Sequence, residues 1–498
     1  MKVLFWVSPL TELDWPFQKS WWLRNSVPCV TEALAQAGSV DEKVVCVSAD
    51  LLEGYRRSGG ELDGRIVAFT QLELTDGYRC NALEARKRFQ ATGEMPAYYD
   101  HLDRLFARRV GADFVPDVIV SFDDSPFLRR RFPKAVHMAF EYSVFSRAPY
   151  PSLYCFDPLS GGGGLRFTYA AHADLINARP AVAGDAEALA ELRRAVVSAL
   201  TANGEVGGYF WGLRSRFDRL LLLPLGYERF FNTLVQSPYA GQFDLAQHAL
   251  ESVSPRTCVV LTQHPTVYAI RPERIEELKQ LYPNLAFETW YGSVPSFSQV
   301  ALPYVDGCLT CNSSVAYQAA FLGKHLVLVD GFAGGLADRT DLADVEGMWK
   351  APPKNRDNFF SWVLRHAAVE MPKAGDYFRR ALPAFAALRG RPLEECLGLW
   401  PDALSGESLS ARVSEWIRTC AEPFAEKLRA VKLQAVADDI SGADFGRRRD
   451  EGLTRRITEL DGQVADLRAQ LDGLRNSLSY RLGRLMTWPL RKARGRSR

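Results

Sequence analysis

The chain has 498 residues, 47% of them hydrophobic and 24% charged. This ordinary globular composition excludes a mostly disordered, collagenous or disulfide-scaffold protein, and the length predicts about three domains. Lys+Arg 61 against Asp+Glu 59 gives +2, a balance that speaks against a nucleic-acid binder, but the charge is uneven: Arg475 to Arg498 holds seven Arg and one Lys with no carboxylate, leaving −6 on residues 1–474. A weakly acidic body with a basic tail points to a local anionic contact, read here as a membrane surface.

The apolar run Val3 to Val7 is too short for a signal h-region, and no stretch is long and apolar enough to span a bilayer. Nine scattered cysteines then read as reduced and the protein as cytoplasmic. Cys308-Leu-Thr-Cys311 has no second pair to complete a metal site, so both are read as buried residues of a strand and turn.

In chain order, the first third alternates short Val-, Ile- and Phe-rich runs with helical patterns. Strands are expected at 2–8, 42–48, 65–70, 117–122 and 135–140, with helices at 26–36 and 98–109. Strands separated by helices imply a parallel sheet covered on both faces. Glycines 161–164 mark a loop, and 185–201 is an amphipathic helix. A second alternating series comes next, with strands at 220–225, 258–262, 285–288 and 325–329 and helices at 242–253, 274–281 and 314–322. Two doubly wound units in series are expected, with a boundary near 203–218 and ligands at the carboxyl ends of the strands. Residues 357–440 read as helical.

Beyond them, Ile457, Leu460, Val464, Leu467, Leu471, Leu474 and Leu478 alternate three- and four-residue spacings. This is a coiled-coil seam able to support self-association, or a lone amphipathic helix packed on the body. Tyr480, Leu482, Leu485, Met486, Trp488 and Leu490 then interleave with basic residues, as in a helix lying in a membrane interface.

Three segments carry candidate chemistry. Gln263-His264-Pro265 comes after the strand at 258–262 and sits at the ligand edge of its sheet, where a His can donate to a phosphate or act as an acid. Asn312-Ser313-Ser314 precedes an apolar helical run, where it caps the helix and can offer donors to a phosphate. Glu141-Tyr-Ser-Val-Phe-Ser-Arg147 ends the strand at 135–140: Glu141 is a base or sugar-positioning carboxylate, and Arg147 is a partner for an anionic substrate or for Glu141 itself. Asp123-Asp124 is read mainly as a turn and helix cap, while Glu228 and Asn232 are further cleft candidates. No Walker, HExxH or GxSxG pattern is present.

In this order, the three segments resemble bacterial glycosyltransferases of the GT-B type that use CMP-activated acidic sugars. These include the sialyltransferases with HP and SS motifs and, more closely, the Kdo-transferases of capsule and O-antigen assembly (Kdo is deoxy-manno-octulosonic acid). Glu141 to Arg147 is similar to their E-D-G-F-L-R-S segment, and Pro151-Ser152-Leu153 and Asp157 to their P-x-S-L and the Asp beyond it. His264-Pro265 is similar to their HP. Ser313-Ser314-Val315, Ala319 and Gly323-Lys324 are similar to their SS helix. The resemblance spans roughly 117–330.

It implies two Rossmann-like domains facing a cleft, with C-terminal helices and the coiled coil after them. It also implies a nucleotide-sugar donor, CMP-Kdo, with no further cofactor and no bound metal. By it, Gln263, His264, Pro265, Asn312, Ser313 and Ser314 bind the nucleotide sugar, His264 and Glu141 act in catalysis, and Arg147, Asp157 and Glu228 lie on the sugar and acceptor side. The expected domains are 1–210, an acceptor-side unit, and 211–400, a nucleotide-sugar unit. The remainder is expected to form a helical extension at 401–450, a coiled coil at 451–480 and a membrane-contact tail at 476–498. Arg475-Asn-Ser-Leu-Ser-Tyr-Arg-Leu482 resembles the ends of other surface-polysaccharide transferases, which implies the cytoplasmic membrane face and a glycan or lipid-linked acceptor.

The chain departs from the pattern at Tyr142 and Ser143, which replace the second acid and the glycine, and in Gly226 to Asn232, which lacks the Asp of the Kdo-transferases. A UDP- or GDP-sugar transferase and a catalytically inactive, membrane-associated scaffold are therefore the alternatives.

Overall fold

The computed structural model describes residues 1–7, 22–75, 97–122, 126–159, 168–226, 237–264, 268–311, 313–329 and 334–433. Residues 1–433 form one compact unit. The expected coiled coil and basic tail lie outside the described residues, as do the glycine run 161–164, Asp123, Asp124, Glu228, Asn232, Pro265 and Asn312.

Two sheets organise the body. The first contains β1 (Lys2–Trp6), β2 (Glu42–Ser48), β3 (Arg65–Phe69), β4 (Val118–Ser121), β5 (Val136–Tyr142) and β6 (Tyr154–Asp157), in the order β3-β2-β1-β4-β5-β6. All its pairings are parallel except β5 with β6. The second contains β7 (Arg219–Pro224), β8 (Thr257–Thr262), β9 (Leu285–Ala286), β10 (Gly307–Thr310) and β11 (His325–Leu328), in the order β11-β10-β7-β8-β9, all parallel. Numbered within its own unit, each sheet runs 3-2-1-4-5, the Rossmann order, with a switch point between its first and fourth strands. These are the two Rossmann-like units expected of the GT-B class.

The strand sequences reflect burial on both faces. Along β1, Val3 and Phe5 face one core and Leu4 and Trp6 the other, because successive side chains alternate across a strand. Trp6 packs edge-on against Phe127 at 5.1 Å on the second of those faces. In β7, Leu220 to Leu223 are fully buried, so the run has no polar alternation.

Three features differ from the expectation. β5 continues to Tyr142, because β6 pairs with it as an antiparallel hairpin and Tyr142 stacks on Tyr154 at 5.0 Å. Glu141 therefore lies within a strand, opposite Cys155. The glycine-rich segment near the expected boundary forms a helix, Gly204–Arg214. Asn203 caps it by accepting from the N–H of Glu205 and Val206, and Val206, Phe210 and Leu213 anchor it in the core. Finally, the chain crosses back after the second sheet. Val369 exchanges two backbone hydrogen bonds with Tyr154 at the edge of the first sheet, and helix Ala374–Ala387 packs on helix Val27–Ala37.

The C-terminal helices are fixed by a buried cation. Arg412, whose side chain is 1% exposed, donates to Glu370 (2.6 Å), Glu407 (2.7 Å) and the Leu404 carbonyl (3.3 Å), and the Trp416 indole also donates to Glu370. Removing one partner of such a cluster strands the others in a low dielectric. Arg412→Ala is expected to lower unfolding free energy by about 3–5 kcal/mol, read by chemical denaturation; a loss below about 1 kcal/mol would show the cluster to be a surface pair in energetic terms.

Candidate functional site

In a doubly wound sheet, ligands sit beyond the carboxyl ends of the strands at the switch point. In the second unit that point lies between β7 and β10, with β8 on the other side of β7. His264 comes two residues after β8 ends, and Ser313 three residues after β10. Two strand spacings of about 4.8 Å put these ends about 10 Å apart, the scale of a sugar-phosphate unit.

The turns at these ends are pre-formed. Gln263 ties the end of β8 to residues further along the chain: its amide donates to the Ile270 carbonyl and its oxygen accepts from the N–H of Ala269 at 3.0 Å. It braces the loop that carries His264. Gln242, 1% exposed, accepts from Gly226 N–H at 3.0 Å and fixes the turn after β7. Ser313 Oγ accepts from Val315 N–H at 3.3 Å, and Ser314 takes the N-cap position of helix Val315–Phe321 without a side-chain capping bond. Both serines are half-buried.

The first unit supplies the facing group. Glu141, Tyr142 and Arg147 lie on β5 and the loop after it, and the charges of Glu141 and Arg147 both act on the Tyr142 phenol, whose pKa is raised mainly by burial. Arg147 also reaches the second unit. His264 has its pKa lowered to about 4, first by burial and then by the Arg147 charge. The Arg147 charge thus acts both on Tyr142 of its own unit and on His264 of the other.

Asp157 is placed differently. It is fully buried, and its carboxylate accepts from Leu159 N–H (2.9 Å), Thr168 N–H (2.6 Å) and the Thr168 hydroxyl (3.0 Å). It clasps the two ends of the 158–168 segment. Among the described residues no group of three or more His, Cys, Asp or Glu is arranged to hold a metal, and the eight described cysteines are free.

Sequence pattern alone passes over other polar groups. Ser146 Oγ, Thr310 Oγ1 and both amide atoms of Gln318 are buried without a hydrogen-bond partner. Unpaired buried polar atoms are rare and call for a partner such as water or ligand. The available signal is positional: Thr310 ends a switch-point strand, and Gln318 interrupts the apolar run Val315 to Phe321.

No protein-family model and no curated protein matches the chain. Solved structures similar in fold include the β-Kdo 2,7-transferase KpsC of Thermosulfurimonas dismutans, at 15% identity over 58% of this chain and 89% of that one, TM-score 0.33. A putative UDP-N-acetylglucosamine 2-epimerase from Listeria monocytogenes aligns at 11% identity over 78% and 98%, TM-score 0.28. The calicheamicin glycosyltransferase CalG4 aligns at 14% identity over 86% and 96%, TM-score 0.28. These overlaps are loose, and no residue role is carried over from them.

Buried histidines give the fold a pH dependence. His264 and His137 both have pKa values lowered to about 4, chiefly by burial, with Arg147 and Arg129 as the next causes. An unfolded His protonates near 6.5, so between pH 6.5 and 4 the unfolded chain binds more protons and stability falls as pH falls. The loss is at most about 1.4 kcal/mol per pH unit for each group, and less than that because both rings are half-buried. Unfolding midpoints across this window should flatten in His137→Gln; an unchanged slope would exclude that residue as a source.

Proposed function

We propose that the protein is a glycosyltransferase of capsule or O-antigen biosynthesis, transferring an acidic, Kdo-like sugar from a CMP donor to a glycan or lipid-linked glycan acceptor. The observation that supports this reading is positional: His264 and Ser313 follow the carboxyl ends of β8 and β10 on either side of the switch-point strand β7, and Arg147 follows the carboxyl end of β5 in the other unit. A guanidinium from one domain, and an imidazole from the other that gains a proton when an anion binds, suit a donor with two anionic groups, a phosphate and a sugar carboxylate.

His264 is neutral in the ligand-free protein near pH 7. A bound phosphate raises its pKa, so the ring takes up a proton on binding and passes it to the departing CMP. Arg147 offsets charge on the donor as the sugar bond breaks, and Ser313 and Ser314 add donors on the phosphate side. Glu141 accepts the proton of the acceptor hydroxyl. The bond from sugar to phosphate breaks, and the bond from sugar to acceptor oxygen forms.

A second reading has one observation in its favour. Tyr142 and Ser143 are built into the frame: Tyr142 stacks on Tyr154, and Ser143 Oγ donates to the Ala367 carbonyl at 3.0 Å. A scaffold that keeps the fold without turnover is therefore the alternative. The basic tail places either form on an anionic membrane surface, and the heptad seam supports self-association. Deleting 476–498 is expected to shift the protein from membrane to soluble fraction; continued sedimentation with membranes would refute the tail's role.

His264→Ala is expected to abolish transfer and weaken CMP binding, and full activity in this variant would overturn the mechanism. Calorimetry of CMP binding at pH 7, in buffers of different ionisation heat, should show proton uptake that His264→Gln removes. Equal uptake in both proteins would take the proton away from His264.

A further inference from the structure

Arg147 sits on a loop of the first unit, residues 143–153, yet much of that loop's packing comes from the second. Phe145 and Tyr150 are buried and stack on each other at 4.4 Å. Both meet Phe321 edge-on, at 5.0 and 6.0 Å, and Phe145 lies parallel to Phe360 at 6.1 Å. Phe321 is held from its other sides. Phe360 contacts it at 5.2 Å, and the Arg193 guanidinium lies over the ring at 5.0 Å. Arg193 donates to the Phe321 carbonyl at 2.6 Å and pairs with Asp357 at 2.7 Å. Phe321 ends the helix that begins after Ser313-Ser314. One seven-residue helix thus touches both halves of the site, with the serines at its start and the Arg147 loop at its end.

We infer that Phe321 is a positioning residue that clamps the Arg147 loop to the second unit and so keeps the guanidinium charge within electrostatic range of His264. The inference rests on reading Arg147 and His264 as one site. Apolar rings are suited to this task, since edge-to-face contacts fix orientation and add no charge beside the guanidinium. The contact also ties the first unit's cation to the second unit's nucleotide edge.

The test is an NMR titration of His264 in the ligand-free protein, its signal assigned with His264→Gln. Arg147→Gln should raise the His264 pKa by roughly half a unit or more, because a like charge is removed. Phe321→Leu should raise it comparably, and adding Phe321→Leu to Arg147→Gln should raise it no further. Phe106→Leu, which loses a buried ring on the far face of the first sheet, should leave it unchanged.

A wild-type pKa in Phe321→Leu, alongside a raised one in Arg147→Gln, would overturn the clamp and leave the site intact. A further rise in the double variant would show Phe321 to act by excluding water, and would also overturn it. No response to Arg147→Gln would instead remove the Arg147–His264 pairing on which the proposed function stands. Phe145→Leu, on the loop side of the same contact, is expected to reproduce Phe321→Leu and serves if that variant does not fold.

Discussion

The aromatic seam of Phe145, Tyr150, Phe321 and Phe360 joins the loop that carries Arg147 to the second unit, whose His264 feels the Arg147 charge. Without an anion, the pair is unfavourable whenever the ring is charged, and burial already disfavours that charge. The ring therefore stays neutral near pH 7, and the loop that carries Arg147 is held by apolar packing at the seam. Phe145, Tyr150, Phe321 and Phe360 are each almost fully buried there, and rings of this size bury large apolar areas. An anion beside the ring would favour its protonated form.

The frame around that point is rigid for identifiable reasons. Gln263 and Gln242 satisfy the backbone of the turns after β8 and β7, and Asp157 closes the segment beyond β6. The return of the chain at Val369, and of helix Ala374–Ala387 onto helix Val27–Ala37, binds the second unit to the edge of the first. These contacts make residues 1–433 one compact unit.

Much of this was legible in the sequence where one physical signal dominates. Glu42–Ser48 is a strand at the expected residues because a Val-rich run bounded by polar positions has little alternative. Helix Asp185–Leu200 reflects its amphipathic period. His264 and Ser313-Ser314 stand at the ends of parallel strands, as their place after short apolar runs implies. The misses arise where tertiary contacts override local preference. Gly204–Arg214 reads as a linker by propensity, but a buried apolar face and an Asn cap make it a helix. Tyr154–Asp157 is too short to announce itself, and only its hairpin with β5 makes it a strand. Asp157 reads as a cleft carboxylate by resemblance, while its three internal hydrogen bonds give it a loop to close. The action of the Arg147 charge on His264, from residues more than a hundred positions apart, has no local signature at all.

The central claim, that this cleft binds a cytidine monophosphate-activated sugar, is tested most directly by thermal shift of the purified protein with CMP, CDP, UDP, GDP and ADP. A ligand bound only by the folded state stabilises it by about 2.7 kcal/mol at 100 times its dissociation constant. A clear upward shift is expected with CMP and none with UDP or GDP. A shift with UDP or GDP and not CMP would contradict the donor, and no shift with any of the five would contradict the transferase reading and favour the scaffold.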